Sequence, residues 1–189
     1  MPFRILTVCT GNICRSPAMQ YVLAQELESD GRFSVTSAGT HAEVGWPVHP
    51  PMDRMLEERG IEVDRFSARQ ADRQLLLGSD LILTATQQHR AWVMEHVPAV
   101  VRRVFTFTEF DEASADAPEG LSPADLVAWA AAHRPTQRVR SLGSATRRGY
   151  DEGDILDPYG RGEAAFVAAL GQIDPLAQRV AHTLRATRS

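Results

Sequence analysis

Short apolar runs alternate with amphipathic segments along most of the chain. Three compact, partly β-branched runs, over residues 3–8, 33–38 and 80–85, predict buried strands. A fourth run, "VVRRVFTF" from Val100 to Phe107, predicts a fourth strand. Strands that alternate with helical segments indicate βαβ units, in which the strands pair in parallel.

Apolar residues at helical spacing predict helices between and after these strands. Pro17 suits the first turn of a helix that continues to Gly31, and Thr86 is expected to cap a helix from Gln87 to His96. The remaining predicted helices cover residues 53–59, 71–77, 123–133 and 162–186. The pattern therefore predicts an α/β fold: a three-layer sandwich with a central four-stranded parallel sheet and helices on both faces.

The interval from Asp111 to Gly153 departs from this rhythm. It is rich in Ala, Pro, Asp and Arg and contains one clear helical segment, residues 123–133. A length of 189 residues suits one domain with a sizeable core. We therefore expect a single domain over residues 1–189, with a surface insertion at residues 111–153 whose second half is mobile.

Composition and charge exclude several classes of protein. The formal charge of -4 argues against nucleic acid as the main partner, since phosphate backbones select basic surfaces. No apolar run approaches the roughly 20 residues that span a bilayer. The N-terminus also lacks the pattern of a secretory signal, so we expect a cytoplasmic protein without membrane insertion. The oligomeric state leaves no trace in the sequence.

The densest chemistry lies in "VCTGNICRSP", Val8 to Pro17, between the first strand and the first helix. A tight loop at this place directs successive backbone N–H groups inward, where they bind a tetrahedral oxyanion such as phosphate. Gly11 allows close approach of the backbone, and Asn12 tolerates left-handed geometry. We call residues 9–15 the phosphate loop. The predicted phosphate-binding residues are Thr10, Gly11, Asn12, Ile13, Cys14, Arg15 and Ser16.

Cys9 is the predicted nucleophile of this loop. A thiol that lies at a helix N-terminus beside an arginine ionises readily, so a thiolate is expected at neutral pH. Ser16 can donate a hydrogen bond to the sulfur, and Arg15 can hold two phosphate oxygens with its planar guanidinium. These parts suit phosphoryl transfer to sulfur. A buried structural cysteine beside a surface arginine is the alternative, but it leaves the rest of the run unexplained.

The run "VCTGNICRSP" resembles the signature of the low-molecular-weight protein tyrosine phosphatases, a family related to some arsenate reductases. Weaker agreements follow in the family's order; they are "SAGT" at residues 37–40, "ARQ" at 68–70, "DLIL" at 80–83 and "DPYG" at 157–160. The resemblance implies hydrolysis of phosphotyrosine in protein substrates through a phosphocysteine on Cys9. It implies no cofactor, and neither the chemistry nor the scattered histidines suggest a metal site.

Asp157 is the predicted general acid. From the residues alone it is one carboxylate among many, and an Asp-Pro turn before a helix accounts for it equally well. The resemblance selects it, because the family's general acid is the first Asp of an Asp-Pro motif. The resemblance also implies a reversible disulfide between Cys9 and Cys14 that protects the nucleophile. A small apolar residue facing the core is the alternative for Cys14.

Three positions depart from the family's usual pattern. Phe66 stands where many members carry a histidine that supports the Asn and Ser of the loop, so a shorter Asn12–Ser16 network is expected. Thr86 stands where aspartate is common. Gly160 replaces a second aromatic residue, which thins one wall of the substrate pocket. The predicted pocket walls are Ile13, His41, Trp46 and Tyr159.

Rival functions remain open from the sequence. Protein-arginine phosphatases resemble the chain at "CTGN" and in the glycine after Asp-Pro-aromatic, but they carry threonine where this chain has Ile13, whose apolar side chain favours a phenyl ring. Arsenate reduction coupled to thioredoxin needs two further cysteines that the chain lacks, although a small thiol could substitute. A phosphate-binding module without turnover gains little from a reactive thiolate.

Overall fold

Four parallel strands form the centre of the molecule. The computed structural model describes residues 1–27, 31–63, 65–135 and 153–188. Its strands are β1 (Phe3–Cys9), β2 (Phe33–Gly39), β3 (Leu81–Thr84) and β4 (Val104–Thr106). They are hydrogen-bonded in the order β2-β1-β3-β4, and every pair is parallel. This confirms the predicted sheet.

Helices cover both faces of the sheet. They are α1 (Arg15–Leu27), α2 (Pro50–Glu57), α3 (Arg73–Gly78), α4 (Gln87–His96), α5 (Phe107–Ser114), α6 (Pro123–Ala132) and α7 (Glu163–Arg185). Buried residues of α1, α2, α5, α6 and α7 form the larger apolar cluster, and those of α3 and α4 belong to the smaller one. The three-layer sandwich is therefore confirmed. Among the described residues, no helix combines the length and apolar character needed to cross a membrane.

Alternation along β1 separates the two clusters. Ile5 and Cys9 belong to the larger cluster, whereas Leu6 and Val8 belong to the smaller one on the opposite face. Successive strand side chains point to opposite faces, so a strand covered on both sides is apolar almost throughout. This double burial explains why residues 5–9 of β1 are all buried and mostly apolar, and it places the Cys9 side chain on the face that α1 covers.

The fourth strand is shorter than the sequence predicts. Residues 98–100 form a turn of 3₁₀ helix that begins at Pro98, and β4 contains only residues 104–106. Thr106 then caps α5, since its side chain accepts from the Glu109 N–H while the Glu109 carboxylate accepts from the Thr106 N–H. The prediction of a strand over residues 100–107 was wrong at both ends, because an apolar run alone does not distinguish a strand from the start of a buried helix.

Two further predictions need adjustment. Helix α2 begins at Pro50, three residues before the predicted start, because proline suits the first helical turn. The described part of the interval that begins at Asp111 packs on the core, since it buries Ala113, Leu126, Val127 and Ala130 in the larger cluster. The proposed mobile half lies largely outside the described residues. That residues 111–153 form an insertion stays a prediction.

The topology places the end of β1 at a natural binding position. The chain leaves β1 through α1 to reach β2 on one side, and β3 and β4 extend the sheet on the other side. Loops at the carboxyl ends of strands diverge at such a point and leave a crevice there. The loop that follows Cys9 opens into this crevice, with Thr84 at the end of β3 beside Val8.

Candidate active site

The loop from Cys9 to Arg15 curls tightly between β1 and α1. Asn12 adopts a φ of 56°, and it is the one non-glycine residue with a positive φ in the described part of the chain. Asparagine tolerates this left-handed conformation better than most residues do. The turn at Asn12 is what allows the chain to reverse within a few residues and begin α1 at Arg15.

The carbonyl groups of the loop point outward and are bound by the segment that follows β2. The pairs are Thr40 N to Cys9 O at 2.9 Å, His41 N to Thr10 O at 3.0 Å, Glu43 N to Gly11 O at 3.0 Å and His49 N to Ile13 O at 2.8 Å. Gly39 is required for this approach, because a Cβ there would overlap the Thr10 carbonyl oxygen. The run "SAGT" thus shapes the loop from outside.

The N–H groups of the loop are left for a ligand. No backbone N–H of residues 10–15 donates to an acceptor among the described residues. Buried backbone donors without a partner are rare in folded proteins, and a ring of them around a concave loop binds anions. The N-terminus of α1 adds its partial positive charge at the same place. The geometry therefore suits a tetrahedral oxyanion.

Asn12 ties this loop together with every polar atom of its amide. Its Oδ1 accepts from the Arg69 N–H at 2.9 Å. Because that group can only donate, the amide nitrogen must face the two serines: Nδ2 donates to Ser16 Oγ and to Ser37 Oγ, each at 2.9 Å. Asn12 is completely buried, so these bonds hold the strained turn in place.

The Ser16 hydroxyl can donate a hydrogen bond to the Cys9 sulfur. Ser16 Oγ already accepts from Asn12, and it lies 3.0 Å from Cys9 Sγ and 3.3 Å from the Ala38 carbonyl oxygen. Its own hydrogen can therefore point to the sulfur, the nearer of the two acceptors. A charge-assisted hydrogen bond of this kind stabilises a thiolate. The structure brings the predicted Cys9 and Ser16 together as the sequence analysis expected.

Arg15 and Asp157 meet at the mouth of the loop. Arg15 Nη2 lies 2.8 Å from Asp157 Oδ2, and Nη1 donates to the Ile155 carbonyl oxygen at 3.3 Å. The Arg15 side chain is 5% exposed, whereas that of Asp157 is 34% exposed. Residues distant in sequence thus place a carboxylate beside the phosphate loop. We call residues 153–162, which carry Asp157, the acid loop.

Hydrogen bonds attach the first half of the acid loop to the body of the protein. The Ile155 N–H donates to Ala85 O and the Leu156 N–H donates to Gln172 Oε1, both at 2.9 Å. Asp157 Oδ1 accepts from the Tyr159 N–H at 3.3 Å, as in an Asx turn. Gly160, with a φ of 71°, completes the turn before α7 in a conformation that favours glycine. This backbone conformation explains why a glycine, and not a second aromatic residue, follows Tyr159.

Cys14 is a buried free thiol near the nucleophile. Burial raises the pKa of the Cys14 thiol to about 12, and Cys9 and Asp157 contribute in the same direction. Cys14 is therefore a neutral thiol at physiological pH, and Cys9 is also free. The disulfide between Cys9 and Cys14 stays a prediction.

The predicted pocket walls lie on different segments. The exposed Tyr159 ring packs edge-on against His49 at 5.4 Å between ring centroids, and the His49 N–H binds the Ile13 carbonyl, so these three residues share one side of the mouth. His41 instead packs against Trp92 at 6.3 Å. Trp46 is 58% exposed on the segment that wraps the phosphate loop.

Three contributors were missed by the sequence analysis. Ser37 completes the Asn12 network, and His49 supports Tyr159 while its other face stacks on Phe166 at 5.3 Å. Phe66, which stands where many members of the family carry a histidine, packs on the Tyr21 ring at 6.1 Å between ring centroids. His89, the third contributor, lies behind Thr10. Only Ser37, within "SAGT", carried a sequence signal.

The loop between β1 and α1 presents main-chain N–H groups that no described residue accepts from, with a thiol at one end of the loop and a guanidinium at the other. These features define an α/β protein with an anion-binding cysteine site. The comparison with families makes this specific. A family model described as low molecular weight phosphotyrosine protein phosphatase matches residues 4–123. The chain belongs to this family.

Individual relatives carry two different names. The chain is 35% identical over 108 residues, 57% of its length and 72% of the relative's, to a probable low molecular weight protein-tyrosine-phosphatase, EpsP, of Ralstonia nicotianae. It is 27% identical over 185 residues, 98% of both lengths, to a protein-arginine-phosphatase of Geobacillus stearothermophilus. The solved structure of the YwlE arginine phosphatase from that organism superposes with a TM-score of 0.73 at 25% identity, over 97% of this chain and 94% of that one.

Proposed function

We propose that the protein hydrolyses phosphotyrosine in protein substrates through a phosphocysteine intermediate on Cys9. The observation that carries this proposal is the position of Cys9 Sγ, 3.0 Å from the Ser16 hydroxyl at the base of a loop whose N–H groups have no acceptor among the described residues. A protein that only binds phosphate needs the ring of donors. It has no use for a nucleophile in that place.

In the first step the Cys9 thiolate attacks phosphorus in line with the leaving oxygen. The N–H groups of residues 10–15 donate to the equatorial oxygens, and the Arg15 guanidinium compensates the charge that spreads over them. A sulfur–phosphorus bond forms as the phosphorus–oxygen bond of the phosphotyrosine breaks. The leaving phenolate carries the electron pair of the broken bond and needs a proton.

Asp157 supplies that proton from the mouth of the loop. Its carboxyl protonates the phenolate oxygen, and the tyrosine leaves as a neutral phenol. The resulting carboxylate then takes a proton from a water molecule that attacks the phosphocysteine. Inorganic phosphate departs, the Cys9 thiolate is regenerated and Asp157 is protonated again. One carboxyl group serves both steps because it lies within reach of the leaving oxygen and of the attacking water, which occupy the same position.

The first test is turnover of p-nitrophenyl phosphate by the protein and by its Cys9→Ser variant. We expect hydrolysis by the protein and a loss of about 10⁴-fold or more in the variant, since serine lacks a stable anion at neutral pH. Acid quench during turnover should trap phosphate on Cys9. Turnover that survives the substitution, or a quenched protein without phosphorus on this sulfur, contradicts the proposal.

Phosphoarginine in proteins is the second candidate substrate. The match over 98% of both lengths to a relative named protein-arginine-phosphatase favours it, while the apolar Ile13 favours a phenyl ring. Turnover of phosphotyrosine and phosphoarginine should be compared in the protein and in Ile13→Thr. We expect the protein to prefer phosphotyrosine. In Ile13→Thr the new hydroxyl can bind a guanidinium, so the ratio of phosphoarginine to phosphotyrosine turnover should rise by about 10-fold. A preference of the unaltered protein for phosphoarginine would replace the first substrate with the second.

We further propose that peroxide inactivates the protein reversibly through a Cys9–Cys14 disulfide. Oxidation of Cys9 to sulfenic acid, followed by condensation with the Cys14 thiol and loss of water, forms the bridge. Dithiothreitol should restore activity in full. Mass spectrometry that finds sulfonic acid on Cys9, without a bridge, contradicts this part alone. Two free thiols of this kind fit a reducing compartment such as the cytoplasm.

A further inference from the structure

His89 is a buried histidine between the phosphate loop and the first turn of α4. Its Nε2 lies 2.8 Å from Thr10 Oγ1, and its Nδ1 lies 2.8 Å from Thr86 Oγ1. The residue is 5% exposed, and Thr10 follows the nucleophile directly. Both ring nitrogens are therefore engaged, one of them with the phosphate loop.

The hydrogen-bond partners indicate the tautomer. Thr86 Oγ1 accepts from the His89 backbone N–H at 3.3 Å, as the cap of α4. We assign the tautomer in which Nδ1 is unprotonated, because Thr86 is buried and its hydroxyl hydrogen then has Nδ1 as an acceptor. In this assignment Nε2 carries the hydrogen and donates to Thr10 Oγ1. Thr10 is exposed, so its own hydroxyl hydrogen can point to solvent.

The ring stays neutral across the physiological range. Burial lowers the pKa of His89 to about 3, and the positive charges of Arg15 and His41 act in the same direction. A neutral ring with a fixed tautomer is a directional donor, whereas a doubly protonated ring would turn a second donor toward Thr86. The contribution of Arg15 also shows that His89 lies within electrostatic range of the phosphate loop.

Thr10 is held from two sides by different parts of the fold. On the β2 side its carbonyl oxygen accepts from the His41 N–H at 3.0 Å. On the α4 side its hydroxyl accepts from His89. The segment after β2 also binds the carbonyls of Cys9, Gly11 and Ile13, so these groups are held from the β2 side. His89 is thus the side chain that fixes the start of the loop from the opposite direction.

We propose that His89 is a positioning residue that holds Thr10, through its Nε2–H, in the orientation that directs the N–H groups next to Cys9 into the phosphate loop. This inference rests on the proposed phosphatase function. Donors that stabilise a transition state form tighter contacts as charge develops. A shift of less than an ångström in their position therefore lowers kcat more than it weakens substrate binding. His89 touches no reacting atom and acts only through Thr10.

The first turn of α4 extends the same role to the acid loop. The Gln87 N–H donates to Asp154 Oδ1 at 2.8 Å, and the Ile155 N–H binds Ala85 O just before the cap residue Thr86. The corner between β3 and α4 therefore contacts the phosphate loop through His89 and the acid loop through its backbone. It sets the two loops relative to each other.

Two pairs of variants test the inference on p-nitrophenyl phosphate. His89→Asn keeps an amide near the Nδ1 position and loses the reach to Thr10, whereas His89→Gln places an amide nitrogen close to the Nε2 position. Thr10→Val removes the acceptor and Thr10→Ser keeps it. We expect His89→Asn and Thr10→Val each to lower kcat by about 10-fold with KM within about 2-fold, and His89→Gln and Thr10→Ser each to have a kcat at least about 3-fold above that of their matched partner.

Additivity supplies the decisive comparison. The double variant His89→Asn/Thr10→Val should lose no more kcat than the worse single variant, because the two substitutions remove the same hydrogen bond, that between His89 and Thr10. If His89→Asn does not fold, as judged by circular dichroism, the Thr10→Val and Thr10→Ser pair decides alone. Normal kcat in Thr10→Val, together with an inactive Cys9→Ser, overturns the role of His89 and leaves the phosphatase intact. Activity in Cys9→Ser overturns the proposed function instead.

Discussion

The phosphate loop and the acid loop perform complementary halves of the proposed reaction in very different surroundings. Most of the phosphate loop is buried, and the rest of the fold binds its carbonyls at Cys9, Thr10, Gly11 and Ile13 and the side-chain amide of Asn12. The acid loop lies at the surface: Asp157 is 34% exposed and Tyr159 is 59% exposed.

The difference teaches which part of the site defines chemistry and which defines the substrate. Electrostatic stabilisation of a transition state requires donors that are fixed before the reaction begins, and only the phosphate loop meets that requirement. A proton donor has to reach leaving groups of different shapes, and a partly exposed carboxyl group on a surface loop can do so. Substitutions in the two loops should therefore have different kinetic signatures.

Among the variants that compare the two loops, the largest effect is expected from Asp157→Asn in the acid loop. It removes the proton donor, so kcat on phosphotyrosine should fall by about 10²–10⁴-fold, and the loss on p-nitrophenyl phosphate, whose leaving group is a weaker base, should be smaller. Steady-state kinetics on both substrates measure this. Asp80→Asn is the matched control. It also breaks an ion pair with an arginine, Arg4, and its carboxylate is 33% exposed, close to the 34% of Asp157, but it lies at the other end of the sheet. Equal losses on the two substrates would remove Asp157 from the role of acid.

The second-largest effect is expected from Ser16→Ala, which tests the phosphate loop. Loss of the hydrogen bond to Cys9 should lower kcat/KM by about 10–100-fold, in line with about 1.5–3 kcal/mol for a hydrogen bond to a charged group. The rate of Cys9 alkylation by iodoacetamide at neutral pH should fall as well. Ser114→Ala, which removes a buried hydroxyl that binds Phe110 O, should leave both rates unchanged. An unchanged alkylation rate in Ser16→Ala would contradict the role of this hydroxyl.

Tyr159→Ala should affect binding rather than chemistry. Loss of an aromatic contact of about 0.5–1.5 kcal/mol raises KM for phosphotyrosine by about 2–10-fold and leaves kcat nearly unchanged. Tyr159→Phe keeps the ring and should behave like the unaltered protein. A fall in kcat with constant KM would mean that the acid loop positions the catalytic machinery as rigidly as the phosphate loop does, and the contrast between the loops would disappear.

The smallest effect is expected in stability against pH. Because the pKa of His89 falls from 6.5 in the unfolded chain to about 3 in the fold, the unfolded chain binds more protons between these values. The stability that His89 contributes by being buried in its neutral form is complete above the unfolded pKa of 6.5. It is lost as the pH falls from this value toward the folded pKa of about 3. The free energy of unfolding should exceed that of His89→Gln by a margin that narrows by about 1 kcal/mol between about pH 7 and about pH 5.5. Urea unfolding measures it; a constant margin would contradict the buried neutral ring.

The sequence predicts the parts of the site that are local in the chain. Cys9, Asn12, Arg15 and Ser16 lie within one strand-to-helix loop, and their spacing alone indicates an anion site. The α4 helix and its cap Thr86 were likewise predicted and are confirmed. Where a run served two elements the prediction failed: "VFTF" ends β4 and begins α5, and the capping box of Thr106 and Glu109 was the signal that separated them.

Residues that reach the site from elsewhere could not be predicted in this way. His49 and His89 stand in no motif, and their roles arise from the packing of the segment after β2 and of α4 against the phosphate loop. Asp157 lies far along the chain, and only the family resemblance singled it out. Side chains that act through tertiary contacts leave no periodicity or spacing to detect, because the fold and not the neighbouring sequence brings them together.

The contact of 2.8 Å between Arg15 and Asp157 bears on how product leaves. The guanidinium that binds the phosphate group in the proposed mechanism already contacts the Asp157 carboxyl group, so substrate and product both have to share or displace this contact. Free inorganic phosphate meets the same competition, and we expect the contact to lower its affinity for the site. Departure of the product then leaves the guanidinium with a partner of its own.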